Sequence, residues 1–401
     1  MIIKRPSLWS FFRGERKLIY FDNSATTAVY PAALETYDKV TKDIWGNPSS
    51  LHKMGDRSHQ LLEASRKQIA NLLNVKPYEI FFTSSGSESD NWAIKGTALA
   101  KKEFGNHIIT SSVEHAAVSN SVRALENLGF RVTVLPVDKN GQVNPEDLKE
   151  ALDKETILVS IMGVNNEIGT IQPIKAISKV LENYPNVTFH VDNVQALGKD
   201  VWDEVFTDRV DLMSLSAHKF HAPRGVGILY KKEGKMIKPL IDGGGQEKAL
   251  RSSTENLPAI AATAKAMRLY LADEKKNAEQ ELAVKNKIVS YLNGKPGIHI
   301  FSPINDNFVP SILCFSLEGI RGETLVHTLE SEDIYVSTTS ACSSRSGVES
   351  GTLNSMKVDD DLATGAIRLS FDPSNTIEEA EQFISVFDKI YKHFAEINHL
   401  K

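Results

Sequence analysis

The chain has 401 residues, with 46 basic and 51 acidic side chains, a formal charge of −5, 41% hydrophobic residues and two cysteines. Ordinary apolar content and low net charge exclude a disordered chain, and the acidic excess argues against direct nucleic-acid binding. Two thiols, Cys314 and Cys342, cannot staple a chain this long, so no disulfide framework exists and a reducing, cytoplasmic setting is expected.

Residues 1–18 form an N-terminal extension that mixes Lys4, Arg5, Arg13, Arg16 and Lys17 with Trp9, Phe11 and Phe12. Its apolar stretch, 8–12, is too short for a signal-peptide core, so a peripheral arm is expected. Short, continuous apolar runs then predict buried strands at 80–83, 107–110, 132–135, 157–162, 187–192, 211–215 and 226–230. Helical patterns fall between them. Residues 116–128 carry Val118, Val122, Leu125 and Leu128 on one face, and Gly129 supplies the stop. Asn144 and Pro145 open a second helix, and Pro173 opens a third. This alternation predicts a doubly wound α/β sheet. Residues 257–292 read as one long helix, followed by a strand near 312–315 and helices near 323–330 and 376–394. The expected division is a large domain over 19–260 and a smaller α+β domain over 261–401. No apolar run approaches the roughly 20 residues of a membrane span.

Ligands in open α/β sheets sit at the carboxyl ends of strands, and those ends are polar here. The run at 80–83 leads into Ser84-Ser85-Gly86-Ser87-Glu88-Ser89 ahead of a helical segment, which suits an anion and equally suits plain capping by Ser87 or Ser89. Later strand ends carry Glu114-His115, Asn165-Asn166-Glu167, Asp192-Asn193-Val194-Gln195 and Ser216-Ala217-His218-Lys219. Together they offer an imidazole, a carboxamide, a carboxylate and an amine. A lysine can hold an aldehyde cofactor as a Schiff base, and an aspartate can keep a pyridine nitrogen protonated. An imidazole can cover the ring, and a hydroxyl-rich turn can hold a phosphate. This is what pyridoxal 5'-phosphate requires of a protein. No dinucleotide fingerprint, P-loop, paired-cysteine zinc spacing or His-Glu-x-x-His helix is present, so no metal is expected.

From residue 19 onward the sequence resembles the cysteine desulfurases, the NifS/IscS-like group of fold-type-I pyridoxal-phosphate enzymes. The motifs that carry the resemblance are Phe21-Asp22-Asn23-Ser24-Ala25-Thr26-Thr27, Gly46-Asn47-Pro48-Ser49-Ser50-Leu51-His52, Ser89-Asp90-Asn91 and Val164-Asn165-Asn166-Glu167-Ile168-Gly169. His218-Lys219, Gly243-Gly244-Gly245, Arg251-Ser252-Ser253-Thr254 and Ser340-Ala341-Cys342-Ser343 follow in the family's order. The resemblance implies a large domain with a mostly parallel seven-stranded sheet and a smaller α+β domain. It also implies residue roles. Lys219 would carry the cofactor and shuttle the substrate proton. His115 would stack on the ring, and Asp192 would pair with its nitrogen. Gln195 and Asn166 would contact the ring hydroxyl and the amino acid. Gly86, Ser87, Ser216 and His218 would hold the phosphate, with Thr254 reaching in from the partner of a homodimer. Arg368 would clamp the carboxylate of L-cysteine. Cys342 would take the substrate sulfur as a persulfide, leave L-alanine, and pass the sulfur to acceptor proteins for iron–sulfur assembly or transfer-RNA thiolation.

The serine-rich stretch 337–354, without apolar periodicity, reads as a mobile arm for that cysteine, whereas Cys314 sits in an apolar run and reads as core. Selenocysteine lyase, aminotransferase and β-lyase reactions use the same cofactor residues, and only Cys342 and its arm separate them. Two positions depart from the pattern: Thr339 and the Asp372-Pro373 step stand where glycine is common in the family.

Overall fold

The computed structural model describes residues 18–339 and 351–397. The N-terminal extension through residue 17 and Cys342 lie outside the described residues. Strands, numbered in chain order, are β1 (Ile19–Tyr20), β2 (Ile80–Thr83), β3 (His107–Ser111), β4 (Arg131–Leu135), β5 (Thr156–Ser160), β6 (Thr188–Asp192), β7 (Leu212–Ser216), β8 (Gly227–Lys231), β9 (Ile298–Ile300), β10 (Ile312–Leu317), β11 (Ile334–Tyr335), β12 (Ser337–Thr338) and β13 (Ala366–Ser370).

The seven predicted buried runs build one seven-stranded sheet in the order β2-β8-β7-β6-β5-β3-β4. Only β8 runs against its neighbours, so the other six strands end on one edge. All residues of β2, β3, β5, β6 and β7 are buried, which is why they lack polar alternation. The edge strand β4 is partly exposed. The connecting helices start as their residues dictate. Asn144 accepts from the Glu146 N–H ahead of the helix Pro145–Ala151. His115 accepts through Nδ1 from the Ala117 N–H at the start of Ala116–Glu126. That helix stops two residues earlier than its pattern suggests, and Gly129 then turns the chain at φ +88°.

A four-stranded antiparallel sheet, β12-β13-β10-β9, and the parallel pair β1-β11 form a second layer. The helices Glu274–Leu292 and Ile377–Ile397 cover it through a core that includes Phe21, Phe315, Phe383 and Phe387. Cys314 on β10 is fully buried, and burial pushes its thiol pKa far up, as expected of a small core residue.

Two expectations need correction. Residues 257–292 are two helices, Leu257–Tyr270 and Glu274–Leu292, not one. Asp273 leaves helical backbone (φ −131°, ψ 35°) and restarts the chain, while Tyr270 stays buried against Gly198. A Cβ on Gly198 would come within 2.2 Å of the Tyr270 ring, so only glycine permits this packing. The stretch 337–354 is also not one continuous loop. Ser337 and Thr338 pair with Arg368 and Ile367, and Gly351–Ser355 is helical. These elements are too short to show a period, and tertiary pairing fixes them.

Candidate active site

The carboxyl ends of β2, β3, β5, β6 and β7 bring most of the predicted residues to one edge. Lys219 closes a short 3-10 turn, Ala217–Lys219, after β7. Its Nζ donates to the carbonyls of Ser24 (2.5 Å) and Ala25 (2.9 Å). Gln195 Nε2 donates to the same Ser24 carbonyl at 2.9 Å. The Phe21–Thr27 motif is thus a strap laid across the lysine turn. Its Thr27 donates to the His218 carbonyl through both N–H and Oγ1, each at 3.0 Å.

Asp192 ends β6 in a buried position, and its Oδ1 accepts from the Val194 N–H at 3.0 Å. One side-chain ligand atom from each of Asp90, His115 and Asp192 falls within 4.8 Å of the others. Burial pushes the Asp90 carboxyl well above the carboxylate range, and the charge of Asp192 adds to this. Burial raises Asp192 too, but His115, the Val194 N–H and Lys219 pull against it. Two carboxyls so close cannot both ionise easily, so the pair divides: Asp90 keeps a proton and Asp192 carries the charge. Glu114, next to His115, is pushed up by burial to about 8, and its Oε1 accepts from Ser111 Oγ (2.6 Å) and the Met162 N–H (2.9 Å). His218 is held down at about 4 by burial and by the Lys219 and Arg224 charges, and its Nδ1 lies 3.2 Å from Thr26 Oγ1.

The serine-rich turn differs in detail from its expected capping. Ser85, rather than Ser87 or Ser89, caps the helix by accepting from the Glu88 N–H at 3.1 Å. Ser87 is exposed. Gly86 opens the helix against Ser216 and Val194. A Cβ there would lie 3.0 Å from each, so glycine is what lets the turn close on β7. Arg251 makes a bidentate pair with Glu88 (2.7 and 3.0 Å), which docks the Arg251–Thr254 motif beside this turn. Thr254 itself is exposed, and among the described residues no hydrogen bond joins it to the other predicted residues.

Arg368 reaches the same edge from β13. Its Nη2 donates to Asp22 Oδ1 at 2.8 Å and its Nη1 to the Asn166 carbonyl at 3.0 Å. Asn166 therefore meets Arg368 through its backbone and not its carboxamide. The buried Nε–H of Arg368 has no partner among the described residues. The segment that carries Cys342 is anchored at both ends near these groups. Ser337 is the register partner of Arg368, and Thr352 Oγ1 accepts from Asn165 Nδ2 at 3.2 Å. Asp22, Asp90 and Glu114 stand in motifs and strand ends of the sequence but receive no role there. Their signal was a carboxylate at a strand end, which acquires meaning only with its spatial neighbours.

The residues fit pyridoxal phosphate: a buried ionised carboxylate, an imidazole and an amine converge, with a glycine-opened helix start beside Ser216. The class-V aminotransferase family matches residues 19–383, and the chain belongs to it. It is 70% identical over 383 residues to the NifS/IcsS protein homolog of Lactobacillus delbrueckii subsp. bulgaricus, across 96% of this chain and 100% of the relative. It is 42% identical over 386 residues to the cysteine desulfurase IscS of Clostridium botulinum, across 96% and 97%. A solved structure of a NifS-like protein aligns with a TM-score of 0.87 at 39% identity, covering 94% of this chain and 100% of that one. Within its class the chain is a member of the NifS/IscS-like group. Among the described residues, no helix is long and apolar enough to cross a membrane.

Proposed function

We infer that the chain is a pyridoxal-phosphate-dependent cysteine desulfurase, which takes sulfur from L-cysteine, releases L-alanine and passes the sulfur to acceptor proteins in the cytoplasm. The observation that carries this reading is the meeting of Lys219, Asp192 and His115 at one sheet edge, with Arg368 opposite. Bound pyridoxal phosphate supplies an electron sink that makes the substrate α-proton labile. Asp192 would hold its ring nitrogen and His115 would cover its face. Gly86, Ser87, Ser216 and His218 would hold its phosphate, and Gln195 its ring hydroxyl.

The rest falls to the chain itself. Arg368 binds the substrate carboxylate, with Asp22 and the Asn166 carbonyl fixing the guanidinium and the Nε–H left to donate. Lys219 moves the α-proton. Cys342, as thiolate, would attack the substrate sulfur. The carbon–sulfur bond breaks, and its electron pair stays with carbon, which is protonated to give L-alanine. The sulfur remains on Cys342 as a persulfide. The tether favours this role: Cys342 is three positions beyond buried Thr339, a reach of at most about 11 Å. The sulfur then serves acceptors in iron–sulfur assembly or transfer-RNA thiolation.

A homodimer completes each site, with Thr254 of one chain reaching the phosphate in the other. Exposed Trp45 and Leu51, in and beside the Gly46–His52 motif, support a partner there, because large apolar side chains in one loop favour burial.

Product analysis tests the reaction. With a thiol reductant present to discharge the Cys342 persulfide, L-cysteine should yield L-alanine continuously, with no keto acid required. Turnover that stops without a keto acid would make the enzyme an aminotransferase instead.

A further inference from the structure

His221 lies two residues beyond Lys219, and Asp372 four residues beyond Arg368. The two side chains meet: His221 Nε2 is 2.6 Å from Asp372 Oδ2, and both residues are buried. His221 Nδ1 lies 2.8 Å from the Ala28 carbonyl, while Nε2 meets Asp372 as a close polar contact outside aligned hydrogen-bond geometry. The imidazole stacks on Tyr30 with centroids 4.1 Å apart and planes within 10°. Its backbone sits at φ 64°, an unusual conformation for histidine, held by N–H donation to Thr27 Oγ1 at 2.8 Å.

Asp372 is fixed as firmly. Its N–H donates to Asn375 Oδ1 at 2.9 Å, and its Oδ1 accepts from the Ser374 N–H at 2.9 Å. Burial alone pushes this carboxyl up, yet His221 and Ser374 hold it down at about 2. The Lys199–Glu281 ion pair and Tyr270 lie around the same seam.

We propose that the His221–Asp372 pair is a positioning latch: it ties the turn that carries Lys219 to the strand that carries Arg368, and so sets the distance between amine and carboxylate clamp. The backbone strap through Ser24, whose N–H donates to Ser370 Oγ at 2.8 Å, makes the same connection in parallel. Arg368 with the Asn166 carbonyl and Asn165 with Thr352 also join the two layers. The His221–Asp372 contact adds a side-chain link beside the Lys219 turn, where it limits local tilt between amine and clamp. Substrate must meet Lys219 with one end and Arg368 with the other, so tilt weakens binding of any amino acid that spans them. The proposal rests on the roles assigned above to Lys219 and Arg368.

The test uses the cofactor-loaded enzyme and L-alanine, the unreactive product, titrated by the change in cofactor absorbance. Asp372→Asn and His221→Asn should each weaken L-alanine about tenfold and raise the KM for L-cysteine by the same factor. The double variant should be no worse than either single one, because both remove one contact. Thermal unfolding before cofactor loading selects conditions in which all variants are folded, and Asp372→Ser replaces any that is not. Arg368→Ala is measured alongside. Loss in Arg368→Ala with unchanged affinity in the latch variants overturns the latch alone. Unchanged affinity in all of them overturns clamp and latch together. Effects of the two single variants that multiply in the double one also contradict a shared contact.

Discussion

Lys219→Ala should lower alanine formation by at least about 10²–10⁴-fold, the range expected for loss of a positioned acid–base group. Among the described residues, Lys219 is the one amine whose charge acts on Asp192. The fold should survive the change, because Gln195 still donates to the Ser24 carbonyl and Thr27 still fixes the His218 carbonyl. The Nζ bonds to the Ser24 and Ala25 carbonyls are lost. Borohydride should trap the cofactor covalently in the parent enzyme and fail to do so in the variant. Turnover within tenfold of the parent would remove Lys219 from the mechanism.

Arg368→Ala should act mainly on binding. The side chain is buried and bonded to Asp22 and Asn166, and truncating one member of such a pair costs about 2–5 kcal/mol. Part of that cost falls on folding, because Asp22 loses its partner, so the thermal midpoint should drop. The remainder appears as a KM for L-cysteine raised roughly 10²-fold. Arg368→Lys should recover only a little, since an ammonium supplies charge without the planar fork. A KM unchanged in folded Arg368→Ala would move the carboxylate site elsewhere.

Both residues were legible in the sequence because buried parallel strands read as unbroken apolar runs whose ends stand out. All seven strands of the large sheet lay within two residues of their predicted positions, and Lys219, Asp192 and His115 stood at their ends. What stayed hidden depends on neighbours distant in the chain. The proton on Asp90 follows from burial beside Asp192, about a hundred residues on. Asp22 matters because β1 and the strap carry it to β13. Asp372 appeared only as a departure from a pattern, and its partner His221 received no role from the sequence. Short elements such as β12 and Gly351–Ser355 were missed for a related reason: two to five residues carry no period, and pairing with β13 and Asn165 decides their structure.

The roles of Lys219 and Arg368 are shared by every reaction this cofactor supports, so they do not single out desulfuration. Cys342 does. The decisive measurement is a single turnover of Cys342→Ala with L-cysteine, following alanine release and cofactor absorbance together. The account predicts the full absorbance band of the parent enzyme and no alanine. Alanine and sulfide released at the parental rate would contradict it.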